Sequence, residues 1–154
     1  MTDYVTMLRN TYVHEAAGDA FFKALIDRQP DAERREKLRT LQTIEARTIT
    51  TMNRLLEKAG IRVDTGGARK QGRALAEQVD PSDWSGFVRA LQETIAHDIE
   101  HYSALRDASP TPGDPALTAL VNHAQAIGQF ADLETQGEQK QSMRALTDYL
   151  RKPV

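Results

Sequence analysis

Between Leu38 and Leu56 the apolar residues are Leu38, Leu41, Ile44, Ile49, Met52, Leu55 and Leu56, mostly spaced three or four apart. That spacing is one face of an α-helix. The same period runs through most of the chain, and strand-like alternation is essentially missing. It predicts a long helix over about Asp3–Asp27, ended by "RQPD", because the residue before a proline avoids the helical region. A second runs over about Asp31–Ala59, with Asp31 as N-cap and Gly60 as terminator. A third opens at "DPSDW", with Asp80 as cap and Pro81 at the first helical position, and reaches about Arg106. After the break "ASPTPGDP", Asp114 and Pro115 repeat that cap for a fourth helix reaching about Thr135. Gly137 then precedes a short fifth helix with Met143, Leu146, Tyr149 and Leu150 on one side.

Connection lengths carry topology. The first and second helices, and the third and fourth, are joined by short turns and should form antiparallel hairpins. The glycine-rich, charged stretch 61–80 is long enough to cross along the bundle, with a short helix around Ala68–Gln78. The expectation is an all-α, up-and-down four-helix bundle with a long crossover between its hairpins and a short C-terminal fifth helix. The length of 154 residues suits a single domain, 1–154, with a proper core.

The apolar stripes break only where an acid stands. On the second helix, Leu38, Leu41, Ile49, Met52 and Leu56 all fall within roughly 40° of Glu45. On the first, Tyr4, Leu8 and Phe22 lie within roughly 20° of Glu15, and Asp19 follows one turn later. On the third, Asp98 is at the centre of Trp84, Leu91, Ile95, Tyr102 and Leu105. On the fourth, His123 flanks the face of Leu117, Leu120, Ala124 and Ile127, with Glu134 near its far end. Glu15, Glu45 and Asp98 each lie near mid-helix, and in an antiparallel bundle the middles meet at one level. An unpaired buried carboxylate is costly or takes up a proton. Two explanations exist: a hard metal ion shared by oxygen ligands from facing helices, or pairing with cations, for which Arg47, Arg89 and Arg106 are within sequence reach. His97 and His14 point further out and read as solvated.

Composition narrows the functions. Net charge is −2, which provides no general basic field and gives no reason to expect nucleic acid as a partner. No uncharged apolar run approaches membrane-spanning length, and the first ten residues do not form a secretory signal. The absence of cysteine removes disulfides and thiolate metal sites and fits a reducing compartment. The expected location is cytoplasmic.

The stretches "YVHEAAGDAFFKAL", "LQTIEARTITTMNRLLEKAG" and "LVNHAQAIGQFADLETQGEQKQSMRALTDYL" together resemble the ferritin-like superfamily, near its rubrerythrin-related members. The resemblance lies in helices and inward acids over nearly the whole chain. Dimetal members of that kind present one Glu from each of two helices and a Glu-x-x-His from each of the other two. Carried over by position, the resemblance implies Glu15, Glu45 and Asp98 as oxygen ligands and His123 as nitrogen ligand, with iron or manganese as the metal. Asp98-Ile99-Glu100-His101 has the acid-to-histidine spacing on an unexpected helix, which adds His101 as a candidate, although it lies roughly 80° off the stripe centre. Thr48 stands where the second helix should carry its histidine, and Leu120 where the fourth should carry its bridging acid.

Two functions follow. In one, a degenerate ferritin-like bundle is a non-catalytic scaffold or binding protein, its inner acids neutralised by protons, arginines or water. In the other, a metal-binding bundle handles iron, peroxide or redox chemistry. The missing ligands favour the first and the central acids the second. A homodimer is also expected: Val13, Ala17, Phe21 and Leu25 make a second apolar side on the first helix, and relatives of this kind often pair there. The fifth helix is the alternative cover.

Overall fold

The computed structural model describes residues 3–152, which are all-helical, with no strand among them. The helices are α1 (Tyr4–Arg28), α2 (Ala32–Ala59), α3 (Gly66–Gln78), α4 (Trp84–Ala108), α5 (Pro115–Thr135) and α6 (Gln139–Arg151). Asp side chains cap four of them: Asp3 accepts from the Thr6 amide, Asp31 from Arg34, Asp83 from Gly86 and Asp114 from Ala116. Each satisfies an amide that the first helical turn leaves without a partner. Gly60 ends α2 with φ 67°, a left-handed conformation that costs glycine nothing.

The start of α4 differs from expectation. Asp80 instead accepts from the amide and hydroxyl of Ser82, closing a turn before the helix, and Asp83 takes the capping role three residues on. Asp80-Pro81 and Asp83 are both sound caps locally. The later one leaves Trp84 free to reach Lys37 and Glu134.

The helices α1 and α2 pack on each other, as do α4 and α5; α2 also lies on α5, and α1 touches α4. Helix α3 runs against α1, and α6 against α5 and α2. The 61–83 connection thus carries the chain from one hairpin to the other, with α3 covering the second apolar side of α1. The two backbones are so close there that a Cβ on Gly72 would run into the Ala17 carbonyl.

Two apolar clusters hold the helices. One contains Phe22, Leu41, Ile44, Ile95, Ile127 and Phe130; the other contains Leu8, Met52, Leu56, Tyr102, Leu105 and Leu120. Burial of each large apolar side chain is worth roughly 1.5–3 kcal/mol, so both clusters drive assembly. Along α1, α2, α4 and α5 alike, the sequence passes from one cluster to the other; Glu15, Glu45 and Asp98 fall at the changeover, and His123 lies just before it, between Val121 and Ala124. No helix among the described residues is long and apolar enough to cross a membrane.

Candidate functional site

Glu15 of α1, Glu45 of α2 and His123 of α5 are buried and meet at this changeover, their ligand atoms all within 4.8 Å of one another. His123 Nε2 is 3.6 Å from Glu15 Oε1 and 4.0 Å from Glu45 Oε1. Its Nδ1 faces the Leu120 carbonyl one turn earlier. A carbonyl only accepts, so that contact puts the hydrogen on Nδ1 and leaves Nε2 as a lone pair. The lone pair is aimed at two carboxyls, and a centre of three acceptors is held together only by a proton or a cation between them.

Among the described residues no lysine or arginine pairs with either acid. Arg47, two positions after Glu45, turns away to the carbonyls of Tyr149, Leu150 and Lys152 at the end of α6. Arg89 is exposed, and Arg106 faces Asp107. Glu15 Oε2 is buried without a hydrogen-bond partner. Burial pushes the Glu15 carboxyl up to about 7. Burial, followed by the charge of Glu15, drives Glu45 well above the usual carboxylate range. Burial depresses His123, keeping its ring neutral and able to bind a cation.

Asp98 joins from α4. His14, Glu15 and Asp98 form a second group with ligand atoms within 4.8 Å of one another, and Glu15 belongs to both groups. Asp98 is half-buried, with His14 Nε2 at 3.2 Å, and this hydrogen bond raises the His14 imidazole above its ordinary value. His14 is exposed, as expected, yet its ring reaches Asp98 and borders the site. It borders Glu15 on the flank of α1 that faces α4, and adjacency to Glu15 was the only sequence signal.

The structure does not bring His101 into either group. It is exposed, and its Nε2 lies 2.6 Å from Thr11 Oγ1, one turn before Glu15 on α1. The Thr11 hydroxyl is already given to the Met7 carbonyl, so His101 donates to it. His97 is exposed, as expected. A further participant is Gly18, over which Glu45 Oε2 lies: a Cβ there would stand 3.5 Å from that oxygen. That is ordinary van der Waals contact, so the acid packs directly on the backbone side of α1 without requiring glycine there.

The other inward acids are structural. Asp19 accepts from Arg69 and Gln42 at 2.8 Å each and lies 3.2 Å from Lys23. Burial works against its charge, but these donors outweigh it and lower its carboxyl. Glu134 likewise holds Lys37 at 2.8 Å and the Trp84 indole at 2.9 Å, and against burial its carboxyl is lowered.

No protein-family model, curated protein or solved structure matches the chain.

Proposed function

We propose that this chain is a metal-binding helical bundle of the ferritin-like, rubrerythrin-related type, holding iron or manganese between Glu15, Glu45 and His123. Asp98 and His14 extend the site through the shared Glu15. The observation that carries this reading is the acceptor-only centre: two carboxyls and an imidazole lone pair converge with no cation of the chain among the described residues, and Glu15 Oε2 has no partner. Mixed carboxylate and imidazole ligation suits iron or manganese, and a bound cation would remove the repulsion that burial imposes on the two acids. Bound there, such a metal supplies Lewis-acid or redox chemistry. The chain's part is to hold the ligands in place and, through Leu120 and Tyr102 against His123, to fix the imidazole.

A metal-free scaffold is the second reading, favoured by one observation: a carboxyl at about 7 keeps a proton near neutrality, and that proton bridges the acceptors without a metal. Thermal melts separate the two. Wild type and Glu45→Leu, purified without an affinity tag, are melted with chelator and with added Fe(II) or Mn(II). The metal reading expects wild type alone to melt higher with metal, since a ligand of the native state stabilises by mass action. A wild type indifferent to both metals, with Glu45→Leu melting higher, supports the scaffold, because replacing an uncompensated buried charge by a packed apolar group is often stabilising.

A further inference from the structure

Beside the cluster, α4 stands away from α3, and the gap is a groove of about 640 Å³ floored by α1. Its length along α4, from Gly86 to Asp98, is about 18 Å at 1.5 Å per residue. Phe21, Phe22, Phe87, Leu91 and Ile95 give it an apolar body, and Leu75 of α3, more than half exposed, stands at its rim. Its polar lining is mainly acidic, with His14 paired to Asp98. Glu15, Glu45, Asp80, Asp83 and Asp98 contribute carboxyls, and among the described residues no lysine or arginine lines it. Asp80 and Asp83 are occupied in capping the turn and helix at one end. At the other end lie Asp98 and Glu15, the latter only 2 % exposed and with Oε2 buried without a partner among the described residues.

We propose that this groove binds an apolar organic cation, an alkyl or aralkyl amine, with its ammonium at the Asp98 and Glu15 end and its body along Phe87, Leu91 and Ile95. The one donor at this end, His14, is spent on Asp98, whose remaining lone pairs offer an ammonium a partner at the groove wall. A fatty acid of the same length would set its carboxylate beside that of Asp98, with no lysine or arginine among the described residues lining the groove to receive it. The apolar walls account for the rest of the molecule, as in most small-molecule sites. The site does not require the metal: the amine has its own partner in Asp98 whether or not Glu45 and His123 hold an ion.

The test uses the full chain in excess chelator, so its outcome is separate from that of the metal reading. Titration calorimetry with decylamine should show one site, with octylamine roughly sixteenfold weaker for two fewer buried methylenes and decanoate without measurable binding. Asp98→Asn should weaken decylamine at least about tenfold, the size of a lost charged hydrogen bond. Ala90→Trp, which places a ring into the groove from α4, should weaken it as well while leaving the helical circular dichroism unchanged. Decanoate binding as tightly as decylamine, or decylamine affinity unmoved by Asp98→Asn, would overturn the proposal.

Discussion

Glu15 and Asp19 occupy successive turns of the same face of α1, both buried, and have opposite surroundings. Asp19 faces Arg69 of α3 and Gln42 and is held ionised; Glu15 faces Glu45 and His123 and is pushed towards its neutral form. One turn of helix separates an acid that serves the fold from an acid that opposes it.

That opposition has a pH signature in the metal-free protein. Glu15 has a folded value of about 7 against an ordinary 4.5, so between these the folded state keeps a proton that the unfolded chain has released. The associated stability is complete below about 4.5 and is lost as pH rises through about 7. At 1.36 kcal/mol per unit, the loss is of order 3 kcal/mol. Urea unfolding of wild type and Glu15→Gln in chelator, from pH 5 to pH 8, should show wild type falling relative to the variant by that order. Parallel pH profiles would contradict it.

Metal binding should displace the same protons. At pH 6 Mn(II) has to compete with a protonated carboxyl, and at pH 8 much less so. Calorimetric titration in two buffers of different ionisation heat should report proton release that is larger at pH 6. Equal release at both values would place the metal elsewhere.

For the structural acids the expected cost runs the other way. Lys37 is buried with Glu134, and Lys37→Met leaves a buried carboxylate with only neutral donors from Trp84 and Ser142. The loss should be about 3 kcal/mol, as for other broken buried pairs. Adding Glu134→Gln should recover about 1 kcal/mol or more by removing the stranded charge. A single-variant loss below about 0.5 kcal/mol in urea would mean that water already reaches the pair.

Gly72→Ala sets two effects against each other. Helix propensity favours alanine by about 1 kcal/mol, whereas the added Cβ meets the Ala17 carbonyl and must push α3 outward. Forced overpacking costs roughly 1–3 kcal/mol, so net destabilisation is expected on a thermal melt. A higher midpoint would show that α3 lies further from α1 than the structure has it.

Much of this was legible in the sequence. The four long helices, the short helix in the 61–80 stretch and the caps at Asp31 and Asp114 follow from periodicity and local chemistry, which act within a few residues. Glu15, Glu45 and His123 were found because each interrupts or borders an apolar stripe. What sequence left open depended on other elements. Whether an inward acid is neutralised is decided by Arg69 or Lys37 arriving from elsewhere in the chain, and no spacing within α1 or α5 reveals it. The contact of the exposed His14 with Asp98 was missed and His101 overestimated because wheel angles say which flank a residue occupies, but not which neighbour covers that flank. The groove lay beyond reach for the same reason, since it exists only where α3 and α4 fail to meet.

Glu15 and Asp98 line the groove and also belong to the clustered ligand groups, so the two proposed sites share side chains. Shared side chains make occupancy of one a thermodynamic variable of the other. Whatever factor a groove ligand imposes on metal affinity, the metal must impose on that ligand. The sign of the factor depends on whether an occupant draws Asp98 towards Glu15 or keeps it for itself. A chain with these two sites would therefore report the concentration of one small molecule through its retention of another.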